Sequence, residues 1–488
     1  MSYSVEVPLW LALLAGALAL WALLDRLLLP SARWYIRSRA SKVLAEVGQR
    51  LKIHVRPFQQ IRRQALIDRL IFDDKVQQAT QAYADARGMP RELALGQVQR
   101  YAREIVPAFN AYVYFRIGYW LGKHISQALY RVRIGYADDV GLEAIPENAT
   151  VVFVMNHRSN MDYIVASYLA AERAALSYAV GEWAQVAGLQ QLIRAMGAYF
   201  VRRNSKDELY RRVLERYVSM ATEAGVTQAV YPEGGLTKDG AMREPRFGVI
   251  DYMLRGYHHA GPRDLVFVPL GLNYDRVLED RTQLRSGDVA AARVSGLRAA
   301  GRTLGFVGTQ LGLLLRSRWH RFGYACVNFG SPVSVRAWTA ARGVVLENLP
   351  KEQRQAEVAA LGRHLMAQVG RLIPVLPVPL VATLMVADLQ RSRSEFEIKT
   401  EIGALVERLQ AEGARLYVPR QDWDYAVSAG LRMLVQRHLV DERDGLFTPR
   451  ASQAPLLRYY ANSIAHLLPA AAPGPVVRPP EALVQPPM

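Results

Sequence analysis

The sequence is almost free of cysteine. A single cysteine, Cys326, occurs among its 488 residues, which excludes an internal disulfide framework and fits a reducing compartment. Tyr324, Ala325 and Val327 surround that cysteine with apolar side chains. We therefore expect Cys326 to be an inert residue inside a strand rather than a reactive nucleophile.

Acidic residues are outnumbered by basic ones. The chain has 61 lysines and arginines against 44 aspartates and glutamates, which gives a formal charge of +17. Such a balance favours anionic partners, whether nucleic acid, an acidic membrane face or phosphorylated small molecules. Hydrophobic residues make up 51% of the chain, so we expect a globular or membrane-associated protein. Its length allows two or three domains with a sizeable core.

Long apolar runs are also rare, and only the first one is long enough to be a candidate membrane helix. Val7 to Leu24 carries no charge over 18 residues, and Leu27 to Leu29 follow soon after. This stretch is just long enough to cross a bilayer as a helix. Basic residues accumulate after it, between positions 33 and 42, and the positive-inside rule then keeps the bulk of the chain on the cytoplasmic side. We expect residues 1–30 to form a membrane anchor helix.

The sequence changes in character along its length. Helical spacing of apolar residues dominates up to about residue 132, strand-like runs alternate with helical patterns up to about 345, and helical spacing then returns. Alternating strands and helices indicate an α/β fold with a mixed, largely parallel sheet flanked by helices. The predicted regions are an anchor helix, an N-terminal helical region, an α/β catalytic domain, a C-terminal helical domain and a disordered tail, at 1–30, 31–132, 133–345, 346–468 and 469–488.

Individual elements can be placed from the same patterns. The predicted helices are Ile61–Ala86, Arg91–Ile105, Pro107–Leu129, Glu352–Leu372, Glu395–Gly413, Trp423–Leu439 and Leu456–Leu468, with a turn at Asp441–Gly445. The predicted strands are Val151–Val154, Tyr199–Val201, Gln228–Tyr231, Val266–Leu270 and Ala325–Phe329. Most of the distinctive polar and glycine-containing segments follow these strands, at the carboxyl ends where α/β sheets usually keep their sites.

A histidine and an aspartate stand five positions apart in His157-Arg158-Ser159-Asn160-Met161-Asp162. Turn-forming residues after the preceding strand place the pair on a strand-to-helix loop, with Asp162 in the first turn of the next helix. An imidazole oriented by a carboxylate can take a proton from a hydroxyl as that hydroxyl attacks an acyl carbon. Considered alone, the pair is better interpreted as an ordinary loop histidine and a helix-capping aspartate. No third ligand is spaced to complete a zinc site.

Three further blocks follow at strand ends. In Gly197 to Arg203, glycine lets the backbone approach a ligand, and Arg203 can hold a phosphate through two hydrogen bonds. Tyr231 to Gly235 predicts a tight turn that can present the Glu233 carboxylate and amide N–H groups to a ligand. Pro269 can shape an apolar wall at the end of its strand. Each block alone is also typical of an ordinary edge strand or turn.

Together, the four blocks resemble the motifs of glycerophospholipid acyltransferases, and most closely those of the long, membrane-bound glycerol-3-phosphate acyltransferase family. Further segments resemble the same branch, namely Asn273–Val277, Val327–Pro332, Leu380–Thr383 and Leu457–Leu468. The resemblance covers about residues 60 to 468, and the combined pattern is far more specific than any one block. It implies the acyltransferase fold for residues 133–345 and, for the anchored chain, the cytoplasmic face of a bacterial inner membrane.

The resemblance implies a role for each candidate residue. His157 would be the general base and Asp162 would hold its tautomer, so that an acceptor hydroxyl attacks an acyl thioester directly. Arg203, Glu233, Gly234 and Gly235 would bind the phosphorylated acceptor, and Pro269 would border the acyl donor. The implied reaction is the acylation of glycerol 3-phosphate at position 1, from acyl-CoA or acyl carrier protein, beside membrane phospholipid. This is the first step of phospholipid biosynthesis, and no metal or other cofactor is expected.

One position departs from the family pattern. The family usually has an arginine three residues after the glutamate, where this chain has Leu236. The contact to the acceptor phosphate is then expected from Lys238 or Arg243, both of which suit an anionic ligand. Leu236 therefore bears on which acceptor is used more than on which reaction is catalysed. Acylation of 1-acylglycerol 3-phosphate or another lysophospholipid is therefore the alternative.

Two hypotheses from other classes were weighed against this one. Leu431 to Phe447 has a helix-then-turn pattern of the winged-helix type, and the net charge would suit a membrane-tethered nucleic-acid binder. However, basic residues are spread along the chain and no helix is dense in them. A degenerate scaffold protein is the second, but His157, Asp162, Arg203 and Glu233 are all present. We therefore predict an acyltransferase that does not bind nucleic acid.

Overall fold

The computed structural model describes residues 56–170, 175–181, 189–202, 205–287 and 322–468. The predicted anchor at residues 1–30, the predicted tail at 469–488 and Arg203 all lie outside the described residues. Across the described ranges, no helix is both long enough and apolar enough to cross a membrane.

Helices run through the whole of the described chain. In chain order they are α1 Pro57–Gln60, α2 Arg63–Ile71, α3 Asp74–Arg87, α4 Arg91–Ile105, α5 Tyr119–Leu129, α6 Asp139–Glu143, α7 Met161–Ala170, α8 Leu189–Ala195, α9 Glu208–Glu223, α10 Gly248–Leu254, α11 Asp280–Gly287, α12 Val335–Arg342, α13 Lys351–Leu372, α14 Pro377–Ala387, α15 Glu395–Ala411, α16 Trp423–Gln436 and α17 Ala454–Ala465. A π-helix, Val113–Gly118, leads directly into α5, and 3₁₀ helices lie at Leu346–Asn348, Pro419–Gln421 and Ala451–Gln453.

Strands alternate with these helices from residue 131 onwards. They are β1 Arg131–Ala137, β2 Thr150–Met155, β3 Ser177–Val180, β4 Tyr199–Phe200, β5 Gln228–Val230, β6 Leu265–Tyr274, β7 Tyr324–Phe329, β8 Val333–Ser334, β9 Arg393–Ser394, β10 Val440–Arg443 and β11 Leu446–Pro449.

The chain divides into two compact units. One contains the described residues up to Ile125 together with those of Val165–Gln228, and the other contains Ser126–Ile164 together with the described residues from Ala229 onwards. In the first unit, helices α2, α3, α4 and α9 pack against one another, and β3 pairs in parallel with β4. Asp207 caps α9 through a hydrogen bond from the Tyr210 N–H, and it also accepts one from the Tyr101 hydroxyl of α4 at 2.5 Å.

The second unit contains a mixed sheet in which β1, β7, β6, β2 and β5 are neighbours in that order. β1 pairs in parallel with β7 and β2 with β6, whereas β7 and β8 are antiparallel to β6. All ten residues of β6 are buried, and helix α13 packs on β6 and β2. A strand that is buried along its whole length reads as a continuous apolar run. The parallel pairing brings the carboxyl ends of β2 and β6 to one edge of the sheet.

The carboxyl-terminal part of the second unit combines helices with a small sheet. Helix α14 packs against α15, α16 and α17, and β11 lies between β9 and β10, antiparallel to both. Of the predicted turn at Asp441–Gly445, only Asp444 and Gly445 form the tip of the β10–β11 hairpin, with positive φ, because Asp441–Arg443 belong to β10. The helix-then-turn pattern at Leu431–Phe447 is therefore helix α16 followed by this hairpin. Helix α16 carries a single basic side chain, Arg432.

The predicted fold class, a mixed α/β fold with a largely parallel sheet flanked by helices, is confirmed. The predicted helix Arg91–Ile105 is α4 without change. The predicted helix Ile61–Ala86 is instead two helices, α2 and α3, because Asp73 is extended and its side chain accepts a hydrogen bond from the Lys75 N–H to cap α3. The predicted domain borders at 133 and 346 stay predictions.

Candidate active site

Strand β2 leads directly into the predicted catalytic loop. The residue after the strand, Asn156, exchanges two side-chain hydrogen bonds with the backbone of Leu272 in β6, at 2.9 and 2.8 Å. Its amide therefore extends the attachment of β2 to β6 beyond the last paired residue. His157 comes next and is buried, with 1% of its surface exposed. The loop thus leaves the sheet from a fixed position.

Asp162 lies in the first turn of α7, as predicted, and donors surround its carboxylate. Oδ2 accepts from Nδ1 of His157 at 2.9 Å and from the backbone N–H groups of Arg158 and Ser159 at 2.7 and 3.0 Å. Oδ1 accepts from the Tyr274 hydroxyl at 2.6 Å. Because Oδ2 already accepts from two backbone donors, the hydrogen shared with His157 is carried by Nδ1. Nε2 of the imidazole then holds the free lone pair.

Nε2 of His157 is buried and has no hydrogen-bond partner within the described structure. The imidazole lies against Tyr231 and Tyr163, with ring centroids 4.4 and 5.3 Å away. Buried polar atoms in folded proteins are normally paired. An imidazole with one nitrogen fixed by a carboxylate and the other unpaired can act as a general base toward a hydroxyl.

Glu233 ties together two loops of the site. Its Oε1 accepts from the backbone N–H of His157 at 3.0 Å, and its Oε2 accepts from the backbone N–H of Arg243 at 2.9 Å. Burial raises the pKa of Glu233, and these two N–H groups offset part of that rise. The carboxylate therefore joins the backbone of His157 to that of Arg243. A direct contact of Glu233 with an acceptor stays a prediction.

The turn after β5 has the tight geometry that its glycines predict. The Gly234 N–H donates to the Tyr231 carbonyl at 3.0 Å, and the φ of Gly234 is 65°, in the region that favours glycine. Gly234 is exposed and Gly235 is buried. The Thr237 N–H donates to the His157 carbonyl at 3.2 Å, which joins the segment after this turn to the predicted catalytic loop.

Two cations accompany this turn. Lys238 is exposed, and Arg243 is half-buried. The Arg243 guanidinium donates to the carbonyl oxygen of Leu236 at 3.3 Å. A guanidinium therefore lies beside the position where the family usually has its arginine, and guanidinium groups bind phosphate through charge-assisted hydrogen bonds.

Pro269 does not end its strand, contrary to the prediction. Strand β6 continues to Tyr274, and Pro269 pairs with Val154 of β2 inside it. A proline lacks the N–H that a central strand needs. It is accommodated because the antiparallel partner of β6 changes around it, from β8 at Val266 and Phe267 to β7 at Leu270. Pro269 is buried, and its carbonyl accepts from the Gly330 N–H at 2.9 Å.

The second predicted block is described only in part. Gly197 has a φ of 88° and lies just before β4, in the first compact unit. Arg203, the residue predicted to hold phosphate, lies outside the described residues, so its contact stays a prediction.

Three residues of the site were not predicted from the sequence. Asn156 fixes the start of the loop, Tyr274 donates to Asp162, and Glu279 binds the loop's other end. Glu279 accepts from the Ser159 hydroxyl at 2.8 Å and from the Asn160 N–H at 3.2 Å. Their sequence signal is weak because more than 100 positions separate Tyr274 and Glu279 from the loop. Only the pairing of β2 with β6 brings them together.

Metal ligation was a weighed alternative for this region. Among the residues that the structure describes, no group of three or more histidine, cysteine, aspartate or glutamate side chains is placed to hold a metal ion. His258, which the sequence places beside His259, pairs with Glu347 at 3.2 Å.

Two protein-family models match this chain, and one of them covers the candidate site. The family model described as "Acyltransferase" matches residues 138–273, and the one described as "Glycerol-3-phosphate acyltransferase C-terminal region" matches residues 310–473. A glycerol-3-phosphate acyltransferase of Actinobacillus succinogenes is 24% identical over 424 residues, which is 83% of this chain and 50% of the relative. One from Pseudomonas paraeruginosa is 27% identical over 302 residues, 60% of this chain and 35% of the relative.

The chain thus spans about half the length, or less, of the curated relatives it matches. Among solved structures, the 1-acyl-sn-glycerophosphate acyltransferase of Thermotoga maritima aligns with 52% of this chain and 79% of its own, at 15% identity and a TM-score of 0.29.

A buried His157–Asp162 pair at the carboxyl end of β2, within the matched residues 138–273, defines an acyltransferase domain. The second match follows it along the chain, and together the two matches confirm the resemblance to the glycerol-3-phosphate acyltransferase family.

Proposed function

We propose that this chain transfers a fatty acyl group from an acyl thioester to the 1-hydroxyl of glycerol 3-phosphate. The observation that carries the proposal is the His157–Asp162 pair, in which the carboxylate fixes Nδ1 and leaves Nε2 buried and unpaired. The relatives named as glycerol-3-phosphate acyltransferases support the choice of acceptor.

The reaction follows from the orientation of the imidazole. Nε2 of His157 takes the proton of the acceptor hydroxyl as its oxygen attacks the thioester carbonyl carbon. The C–S bond of the tetrahedral intermediate then breaks, and the departing thiolate receives the proton from the imidazolium. Asp162 accepts the Nδ1–H throughout and stabilises the charged imidazolium, as the aspartate does in a catalytic triad. The products are 1-acylglycerol 3-phosphate and a free thiol.

Direct transfer fits the single thiol of the chain. Cys326 lies in β7 with 1% of its surface exposed, and burial raises the pKa of its thiol to about 12. A thiol is a nucleophile only as the thiolate. Cys326 is therefore a poor candidate for a covalent acyl intermediate, in agreement with the sequence-based expectation.

The acceptor phosphate would bind at the turn after β5. Arg243 and Lys238 supply positive charge there. The Gly234 N–H itself is already engaged with the Tyr231 carbonyl. We place Arg203 in the same role and Pro269 beside the acyl donor, which would be acyl-CoA or acyl carrier protein. The expected location is the cytoplasmic face of the membrane, with residues 1–30 as the anchor and the net charge of +17 favouring anionic lipid.

The first experiment offers labelled palmitoyl-CoA to detergent-solubilised protein, with glycerol 3-phosphate and 1-acylglycerol 3-phosphate in parallel reactions. We expect product from glycerol 3-phosphate. We also expect His157→Ala to lower turnover by at least about 10³-fold, because the base is lost. His364→Ala, which removes an exposed histidine of α13, is the matched control. Product from the lysolipid alone would move the protein to the alternative acceptor.

The phosphate contact has its own test. Arg243→Ala should raise the KM for glycerol 3-phosphate by about 10-fold or more, since a charge-assisted hydrogen bond contributes about 1.5–3 kcal/mol. The KM for palmitoyl-CoA should change little. Arg363→Ala, which removes an exposed arginine of helix α13, is the control. An unchanged KM in Arg243→Ala would remove Arg243 from the acceptor site.

A further inference from the structure

Glu233 binds the first residue of the catalytic loop His157–Asn160, and the start of helix α11 binds the loop's later residues. Glu279, the residue before the helix, accepts from the Ser159 hydroxyl at 2.8 Å and from the Asn160 N–H at 3.2 Å. Gln283, one turn into the helix, donates to the Arg158 carbonyl at 3.1 Å. Both carboxylate oxygens of Glu279 are therefore engaged with the loop, although neither touches His157 itself.

The same short helix also contacts the C-terminal helix α17. The Tyr459 hydroxyl donates to Gln283 at 2.6 Å, and the Tyr460 hydroxyl donates to Asp280 at 2.5 Å. Asp280 also accepts from Arg437, the residue after α16, at 2.5 Å. Burial alone would lower the pKa of Arg437, but Tyr460 and Asp280 outweigh it and raise that pKa. All of these groups are buried or nearly so.

Helix α17 also approaches the loop directly. The Arg158 guanidinium lies over the Tyr459 ring at 5.5 Å and donates to the Gly240 carbonyl at 2.7 Å. A Cβ atom at Gly240 would lie 1.8 Å from the Tyr459 carbonyl oxygen. The backbone at Gly240, after the turn that follows β5, is thus in close contact with the backbone of α17, and no side chain fits between them.

From these contacts we propose that α11 relays the position of helix α17 to the catalytic loop, with Glu279 as a positioning residue for the His157–Asp162 pair. Two routes cross the helix, from Tyr459 through Gln283 to Arg158 and from Tyr460 through Asp280 and Glu279 to Ser159. This assigns a part in catalysis to the C-terminal region, which would otherwise only cover the sheet. The catalytic part of the proposal rests on the proposed function, while the mechanical part does not.

Glu279 is tested by two substitutions. Glu279→Ala removes both acceptors and should lower kcat by about 10- to 100-fold, the effect of a small misplacement of a catalytic group, with KM values within about threefold. Glu279→Gln should recover most of kcat, because an amide oxygen can accept from the Asn160 N–H while the amide nitrogen donates to the Ser159 hydroxyl. A group with only a structural role would lower stability without this split between kcat and KM.

The matched control lies in the same C-terminal region. Glu395 accepts a hydrogen bond from the Ser428 hydroxyl at 2.5 Å, far from α11 along the chain. Glu395→Ala therefore removes the same kind of bond without touching the relay, and kcat should stay within about threefold of wild type. The double variant Tyr459→Phe with Tyr460→Phe substitutes residues of α17 alone and should lower kcat by about 10-fold. It also removes the Tyr460 hydroxyl that accepts from the Val277 N–H and from Arg437.

A second readout does not depend on activity. Hydrogen exchange of the peptide that contains residues 157–160 should accelerate by about 10-fold or more in Glu279→Ala and in the double tyrosine variant, but not in Glu395→Ala. Unchanged loop exchange in Glu279→Ala would overturn the relay, and so would equal kcat losses in Glu279→Ala and Glu395→Ala. A wild-type chain that acylates neither acceptor but shows the exchange pattern would instead refute the proposed function and keep the mechanical relay.

Discussion

At the scale of single residues, Asp162 is the most heavily bonded side chain of the candidate site. It accepts from the imidazole, from two backbone N–H groups of the loop and from the Tyr274 hydroxyl. These hydrogen bonds select the tautomer of His157 and also fix the loop around the carboxylate. A change at this position should therefore affect the chemistry and the local fold at once.

Asp162→Asn is expected to lower kcat by about 10³- to 10⁴-fold. An asparagine can keep its oxygen toward the N–H donors of the loop and its NH₂ group toward the Tyr274 oxygen, but it lacks the negative charge that stabilises the imidazolium. The measurement is kcat with glycerol 3-phosphate. Tyr274→Phe is the comparison, because it removes only the 2.6 Å bond to Oδ1 and should cost about tenfold at most. Near-normal turnover of Asp162→Asn would contradict the assigned role of the carboxylate.

A second buried carboxylate, Asp275, stands apart from the chemistry. It accepts from the backbone N–H groups of Tyr324 in β7 and Val378 in α14, at 2.8 and 3.1 Å. Burial raises the pKa of Asp275 from 3.8 to about 6, against the effect of those two donors. In the folded chain it holds its proton at a pH where the unfolded chain has already lost it.

The stability that this proton provides should be present in full below about pH 4 and should disappear as the pH rises through about 6. A rise of roughly two pKa units corresponds to about 3 kcal/mol. Asp275→Asn cannot titrate, so its free energy of unfolding should fall less between pH 4 and 7 than that of the wild type. Urea unfolding at several pH values measures this, with the exposed Asp388→Asn as control. Parallel curves for wild type and Asp275→Asn would contradict the raised pKa.

At the scale of helices and strands, the boundaries with local chemical signals were predictable. Gly88 ends α3 with a φ of 59°, and Ser394 begins α15 with a capping box completed by Glu397. The strands β1 and β9 were missed for the opposite reason. Most of β1 is half-exposed or exposed, and β9 has two residues. Their strand conformation depends on pairing with distant segments, which no local pattern reports.

Alanine substitutions at two glycines should change stability in opposite directions, one through helix propensity and one through a tertiary contact. Gly96, in the middle of α4, has open space where a Cβ would be added, so Gly96→Ala should stabilise the protein by about 0.5–1 kcal/mol. A Cβ at Gly271 of β6 would lie 2.3 Å from the Leu372 carbonyl carbon. Gly271→Ala should destabilise by about 3 kcal/mol or more, because backbone cannot move aside. Thermal unfolding of both variants gives the signs, and a stable Gly271→Ala would contradict the close packing of α13 on the sheet.

At the scale of the whole molecule, the C-terminal region is bonded into the central sheet. Asn328 of β7 donates to the Leu372 carbonyl at 2.7 Å, and Asn273 of β6 donates to the Pro374 carbonyl at 2.9 Å. Asp275 caps the start of α14 as described above. These buried side chains would each lose a partner without the region after residue 345, and an unpaired buried polar group costs about 1–3 kcal/mol.

A chain that ends at residue 345 should therefore fail to fold, even though it keeps every predicted catalytic residue. We expect it to be recovered in aggregates, and co-expression of residues 346–488 as a separate chain should restore part of the soluble yield. The yield in the soluble or detergent fraction measures this. A well-folded fragment with a cooperative unfolding transition would instead support the predicted domain border at 346.

The sequence by itself predicted the His157–Asp162 pair, the glycine turn, the resemblance to the family and the fold class, because these depend on local spacing, residue types and the periodicity of apolar residues. The tertiary structure decided which side chains surround the pair. It brought the Tyr274 hydroxyl to Asp162 and the Glu279 carboxylate to Ser159, turned Glu233 toward backbone N–H groups, and set Arg243 beside Leu236. Those contacts join segments that are distant along the chain, so they exist only once the parallel pairing of β2 with β6 and the docking of α17 bring them together.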